Sequence, residues 1–148
     1  MSVLTDNIQP IEKMLDVLVE TLEATNDFTW EVIKFSGTNY TKLFELLPSL
    51  TPPSLVVVYQ GSLFSREPGR PQRVYHDVSI LVLEEDPEAE DGAVNSRAMV
   101  MEVLNLLDKK VDGDLLYRIQ DVQALDLSAS DIAPNISCYV IGVEVGDN

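Results

Sequence analysis

Cysteine is nearly absent from this chain: Cys138 stands alone, and a single thiol cannot close an internal disulfide. Disulfide-stapled scaffolds are thereby excluded, and the usage agrees with a reducing compartment. Histidine is as scarce. With His76 as its one representative, a zinc site of Cys and His ligands cannot be assembled from one copy. The seven glycines form neither a dinucleotide fingerprint nor a phosphate-binding loop, and no lysine directly follows a glycine. No apolar run approaches the length of a membrane span. The opening "MSVLTDNIQPIEKML" lacks the basic start and apolar core of a secretory signal, so synthesis in the cytoplasm is expected. Positive charge is also sparse: 10 basic against 25 acidic side chains give a formal net charge of −15. Such a field repels phosphate, which disfavours specific nucleic-acid binding and anionic membrane surfaces alike.

What is present is enough apolar material for a conventional core. The 148 residues, 45% hydrophobic, are expected to form a single domain over 1–148 and to bury about 68–70% of the surface of the unfolded chain. Ile8, Ile11, Met14, Leu15, Leu18, Val19 and Leu22 recur at helical spacing, with Asn7 a plausible N-cap and Pro10 inside the tolerated first turn. "FTWEVIKF" (28–35) alternates like a strand, and a short helix follows, with Thr38 as a possible cap and Pro48 as its stop. "SLVVVYQG" is a run of branched residues bounded by Pro53 and Gly61, the pattern of a strand covered on both faces. In "RVYHDVSILVLEE", Val74, His76, Val78, Ile80 and Val82 share one face, and Tyr75, Asp77, Ser79, Leu81 and Leu83 the other. The two strands predict a long antiparallel hairpin whose tip falls within 62–72. The acidic 84–92 reads as a solvated loop. "AVNSRAMVMEVLNLLDKK" reads as a helix ended by Lys109, Lys110 and Gly113, with apolar residues on more than one face. "DLLYRIQDVQAL" and "ISCYVIGVEV" close the chain as two further strands. The expected class is α+β: a mixed, mostly antiparallel sheet of about four or five strands, a long protruding hairpin, and two main helices packed on one face.

Few side chains invite chemistry. His76 is the natural suspect because its charge changes near neutrality, yet Asp77 beside it points to the opposite strand face, so adjacency makes no dyad. A histidine lining the sheet is the simpler account. Cys138 sits in an apolar strand, where a thiol behaves as a small hydrophobe. The run Glu84, Glu85, Asp86, Glu88, Glu90, Asp91 lacks the ligand-and-glycine register of a helix-loop-helix calcium site and reads as a solvated loop. No catalytic residue, cofactor or metal is expected. Arg66, Arg70 and Arg73, three of the five arginines, lie in "SREPGRPQRVYHD" at the hairpin tip. They either solubilise the tip through weak surface pairs or dock it onto an acidic surface of a neighbour.

The succession "SLVVVYQG", arginine-bearing turn, "RVYHDVSILVLEE", acidic loop, "AVNSRAMVMEVLNLLD", "LLYRIQDVQAL", "CYVIGVEV", covering about 54–146, resembles the small tail-completion or tail-terminator proteins of long-tailed bacteriophages and prophages. The resemblance implies a non-enzymatic protein that joins copies of itself into a ring, commonly a hexamer, which stops the tail tube and meets the head-side connector. It implies assembly in the bacterial cytoplasm, residence in the virion tail, and a lumen through which DNA passes without being gripped, a task that an acidic wall suits. On charge and periodicity, Arg66, Arg70, Arg73, Met99, Met101 and Leu104 are the expected interface residues. A stand-alone α+β protein-binding module without a ring is the alternative.

Overall fold

The structure, a computed structural model, describes residues 10–25, 28–35, 37, 39–51, 53–65, 68–69, 73–85, 91–107, 111–112, 115–125 and 136–147. The first helix, α1 (Pro10–Glu23), starts on the proline, where the missing N–H leaves no bond unmade. Asn7 and Ile8 lie outside the described residues. A first strand, β1 (Glu31–Phe35), is shorter than its alternation predicts, because Phe28 and Trp30 leave the ladder and stack on each other with ring centroids 5.2 Å apart. The Trp30 indole N–H instead donates to the Leu22 carbonyl at 2.9 Å, fastening the chain to the end of α1. Next, α2 (Tyr40–Leu46) is capped by Asn39, whose Oδ1 accepts from the Thr41 amide at 2.9 Å. Thr38, the expected cap, lies outside the described residues. A 3₁₀ turn, Leu47–Ser49, ends this segment at Pro48.

The hairpin is β2 (Ser54–Ser65) with β3 (Arg73–Glu85), and its pairing persists to Ser65 opposite Arg73. The expected tip, 62–72, is therefore in part strand: Ser62 to Ser65 are paired. Helix α3 (Asp91–Leu107) follows, then β4 (Val111–Asp112), β5 (Leu115–Leu125) and β6 (Ile136–Asp147). Lys109, Lys110 and Gly113, the expected helix stop, lie outside the described residues. These strands form one sheet in the order β1-β2-β3-β6-β5-β4. All neighbours are antiparallel except β1 and β2, which run parallel because the segment carrying α2 returns the chain to the same end of the sheet.

The class is α+β with a mixed, mostly antiparallel sheet and its two main helices on one face. Met14, Leu15, Leu18 and Leu22 of α1 and Met99, Val100, Val103 and Leu107 of α3 pack against Leu55, Val57, Val78, Ile80, Val82, Ile141 and Val143. Each such side chain contributes about 1.5–3 kcal/mol of burial. Alternation sends Val56, Val58, Leu81, Leu83 and Cys138 to the opposite face, where Leu43 of α2 and Leu47 of the 3₁₀ turn cover them. The central strands are thus apolar on both faces, as their unbroken branched runs predict. No helix among the described residues is long and apolar enough to cross a membrane.

Candidate functional site

Two regions hold polar or exposed apolar groups that the core does not explain: the base of the hairpin, and the β5 side of the molecule. At the hairpin base the ladder slips between Tyr59 and Gly61, so Gln60 is an extra residue, and Gly61 adopts φ +128°, a conformation that L side chains rarely take. This bulge changes which side chains share a face. After it, Ser62 faces the same side as Tyr59, toward the two main helices, where plain alternation would have put Leu63. Ser62 Oγ lies 2.7 Å from His76 Nδ1, and Tyr59 Oη shares a hydrogen bond with Ser62 Oγ. The Tyr59 ring stands edge-on to the imidazole at 6.2 Å. His76 is buried, in one cross-strand row that runs Ser62, His76, Val145, Tyr117. The hydroxyl chain and the row tie four strands together at the level where the hairpin leaves the sheet.

The opposite face at this level is charged. Gly61, Asp77, Glu144 and Arg118 form its row, so two carboxylates are direct cross-strand neighbours and Arg118 stands beside Glu144. Like charges opposed in this way repel, and the adjacent guanidinium offsets it. Asp77 and His76 thus belong to different faces. Cys138 is farther away still. It faces the α2 side, seven residues before Val145 on β6, about 23 Å of strand from the level of His76. Burial pushes its thiol up to about 12, so it stays protonated and unreactive at neutral pH. The fold therefore separates His76 from both Asp77 and Cys138, and no dyad of these residues exists. Among the described residues, no group of three or more His, Cys, Asp or Glu side chains is placed to hold a metal ion. Asp86, Glu88 and Glu90 of the acidic run lie outside them.

The expected interface residues fare unequally. Arg66 and Arg70 lie outside the described residues, and Arg73 opens β3 opposite Ser65. Met99, expected at an interface, is 1% exposed and sits in the core between α3 and the sheet, so its side chain is enclosed by its own chain. Helical spacing explains this: Met99 falls with Ser96, Val100, Val103 and Leu107 on the inward face, and Met101 does not. Met101 is 55% exposed, and Leu104 is partly buried at the margin of the core.

No protein-family model matches the chain. No curated protein matches it. Among solved structures, the fold is similar to that of a chain in the virion of a native gene transfer agent (GTA) particle, with TM-score 0.50 and 11% identity, over 99% of this chain and 98% of that one. At this identity the likeness is one of fold, and it extends over both chains almost entirely.

Ser62 and Tyr59 are not among the residues that the sequence singles out, although they are the partners of His76. An isolated glycine inside a strand pattern, Gly61, is the available sign of the bulge that brings them together. The β5 side is equally unannounced: Val122 is 40% exposed on a strand expected to be ordinary sheet.

Proposed function

We propose that this protein is a non-enzymatic virion assembly protein of a bacteriophage or prophage, of the tail-terminator type. In this reading copies join into a ring, a hexamer, that caps the tail tube and meets the head-side connector. The observation that carries it is the fold likeness to a chain of a gene-transfer-agent virion, end to end in both chains. A net charge of −15 supports it, because a wall of like charge lets DNA pass through a lumen without adhering. Such a protein would assemble in the host cytoplasm and reside in the virion tail.

The hairpin is the docking arm. Its twelve- and thirteen-residue strands flank the stretch of sequence that holds Arg66 and Arg70 and begins β3 at Arg73, in an otherwise acidic chain, and a head-to-tail contact between unlike surfaces is the kind that closes rings. Met101 and Leu104 belong to a second contact on α3. Light scattering over a concentration series, alone and with the cognate tail-tube protein, tests the reading: ring-sized assemblies are expected. Changing Arg66, Arg70 and Arg73 together to Glu should abolish them while leaving the circular dichroism spectrum unchanged. A strict monomer in the presence of tail-tube protein, or assembly indifferent to the triple change, would overturn it.

A further inference from the structure

We propose that the outer edge of β5, from Tyr117 to Leu125, is a strand-docking site whose occupant is β5 of a second copy, antiparallel and related by a two-fold axis at Val122. This goes beyond the ring reading and does not depend on it. Strand β4 closes the edge only at Leu115 and Leu116. Beyond that point no strand among the described residues pairs with β5 on its outer side, so backbone donors and acceptors face outward, a template for another strand. Gln120 to Ala124 are exposed without interruption.

The exposed large apolar side chains among the described residues are Val122, on this strand, and Met101, on α3. On α3, Glu102 accepts from Thr25 Oγ1 at 3.1 Å on the α1 side, whereas Arg97 Nε donates to Tyr139 Oη at 3.2 Å on the other flank. Tyr139 pairs with Ala124 of β5, and Met101 lies one turn along that same flank from Arg97. Val122, opposite Ile141, shares the sheet face that α3 packs on.

Charge selects the occupant and the register. Copies carrying −15 each repel least where the surface carries least charge. In the span 119–125, which an axis at Val122 pairs with itself, each copy carries one charged side chain, Asp121. A two-fold axis at Val122 sets Val122 against its own copy and Asp121 against the Gln123 of the other chain. Gln123 Nε2 already donates to Asp121 Oδ2 at 2.8 Å within one strand, so the same donor and acceptor can be satisfied between chains. Centring the axis on Asp121 instead would oppose two carboxylates.

A Val122→Cys, Cys138→Ala protein under mild oxidation tests this, with Lys42→Cys, Cys138→Ala as a control thiol on exposed α2. Two-fold pairing brings the two position-122 sulfurs within disulfide reach, so a cross-linked dimer is expected to form much faster than for the control. Val122→Lys should weaken dimerisation by at least about tenfold in light scattering, with an unchanged circular dichroism spectrum. A wild-type protein that stays monomeric, or a dimer in which position 122 cross-links no faster than position 42, would overturn the proposal. Because these changes leave the arginine hairpin intact, failure here is separable from failure of the ring reading.

Discussion

The two edges of the sheet are finished in opposite ways. On one side β1 is five residues long and packed on both faces, Val32 against the α1 cluster and Phe35 against the α2 cluster. Its Lys34 is held at 3.0 Å from Glu12 and 2.9 Å from Asp16. On the other side β5 is eleven residues long, is closed by β4 at its first two residues, and exposes five residues in succession. A short edge that carries a clamped lysine is hard to extend, whereas a long one with few charges is open to a further strand. A strongly acidic protein thus has one long, sparsely charged edge and one that is short and guarded.

The contrast is steepest within β5 itself. Tyr117 is fully buried at the closed end, and Tyr117→Ala should destabilise by about 3–5 kcal/mol in chemical denaturation. Val122→Ala, at the open end, should change monomer stability by less than about 0.5 kcal/mol. Equal effects would mean that the open edge is part of the monomer's core after all. A smaller effect than that of Tyr117 is expected where its row reaches the hairpin. Ser62→Ala removes the hydroxyl that bonds His76 Nδ1 and should cost about 1–3 kcal/mol. Combined with Tyr59→Phe it should be non-additive by at least about 0.5 kcal/mol in a double-mutant cycle; simple additivity would show the hydroxyl chain to be unimportant.

The smallest effect belongs to the clamped edge. Hydrogen bonds that Lys34 donates, first to Asp16 and then to Glu12, raise its pKa above the ordinary 10.5. A group whose folded value is raised stabilises fully below its unfolded value and loses that contribution as pH rises through the folded one. Lys34→Met should therefore melt slightly lower than the wild type at neutral pH, with the difference shrinking in high salt and vanishing as the pH climbs above 10.5. A melting difference that persists at strongly alkaline pH would assign the loss to packing of the lysine stem instead.

Much of this architecture is legible in the residues. Alternation in "RVYHDVSILVLEE" assigns Val78, Ile80 and Val82 to one face and Leu81 and Leu83 to the other, and each reaches the expected cluster. The same alternation keeps His76 and Asp77 on different faces. The site is less legible. An inserted residue at Gln60 re-aims Ser62 onto His76, and another between Ile119 and Asp121 shifts the register of β5. Bulges add one residue without altering the apolar pattern enough to announce themselves. Met99 and Met101 are equally apolar in sequence, and only the direction of the inward face of α3 separates a core residue from an exposed one. Strand β4 has no signal in the sequence either, since a pair of residues carries no period.

Local repetition and composition were enough to specify the helix and strand types, the hairpin, the apolar faces, the acidic field and the absence of a cysteine-based framework. Features that depend on which segments lie side by side emerged only when the chain was folded. These are the strand order, the parallel pairing of β1 with β2, the joining of Tyr59, Ser62 and His76, and the exposure of one long edge. The physical reason is that periodicity fixes the direction of a side chain relative to its own backbone, whereas its neighbours are fixed by pairing and register between segments far apart in the chain.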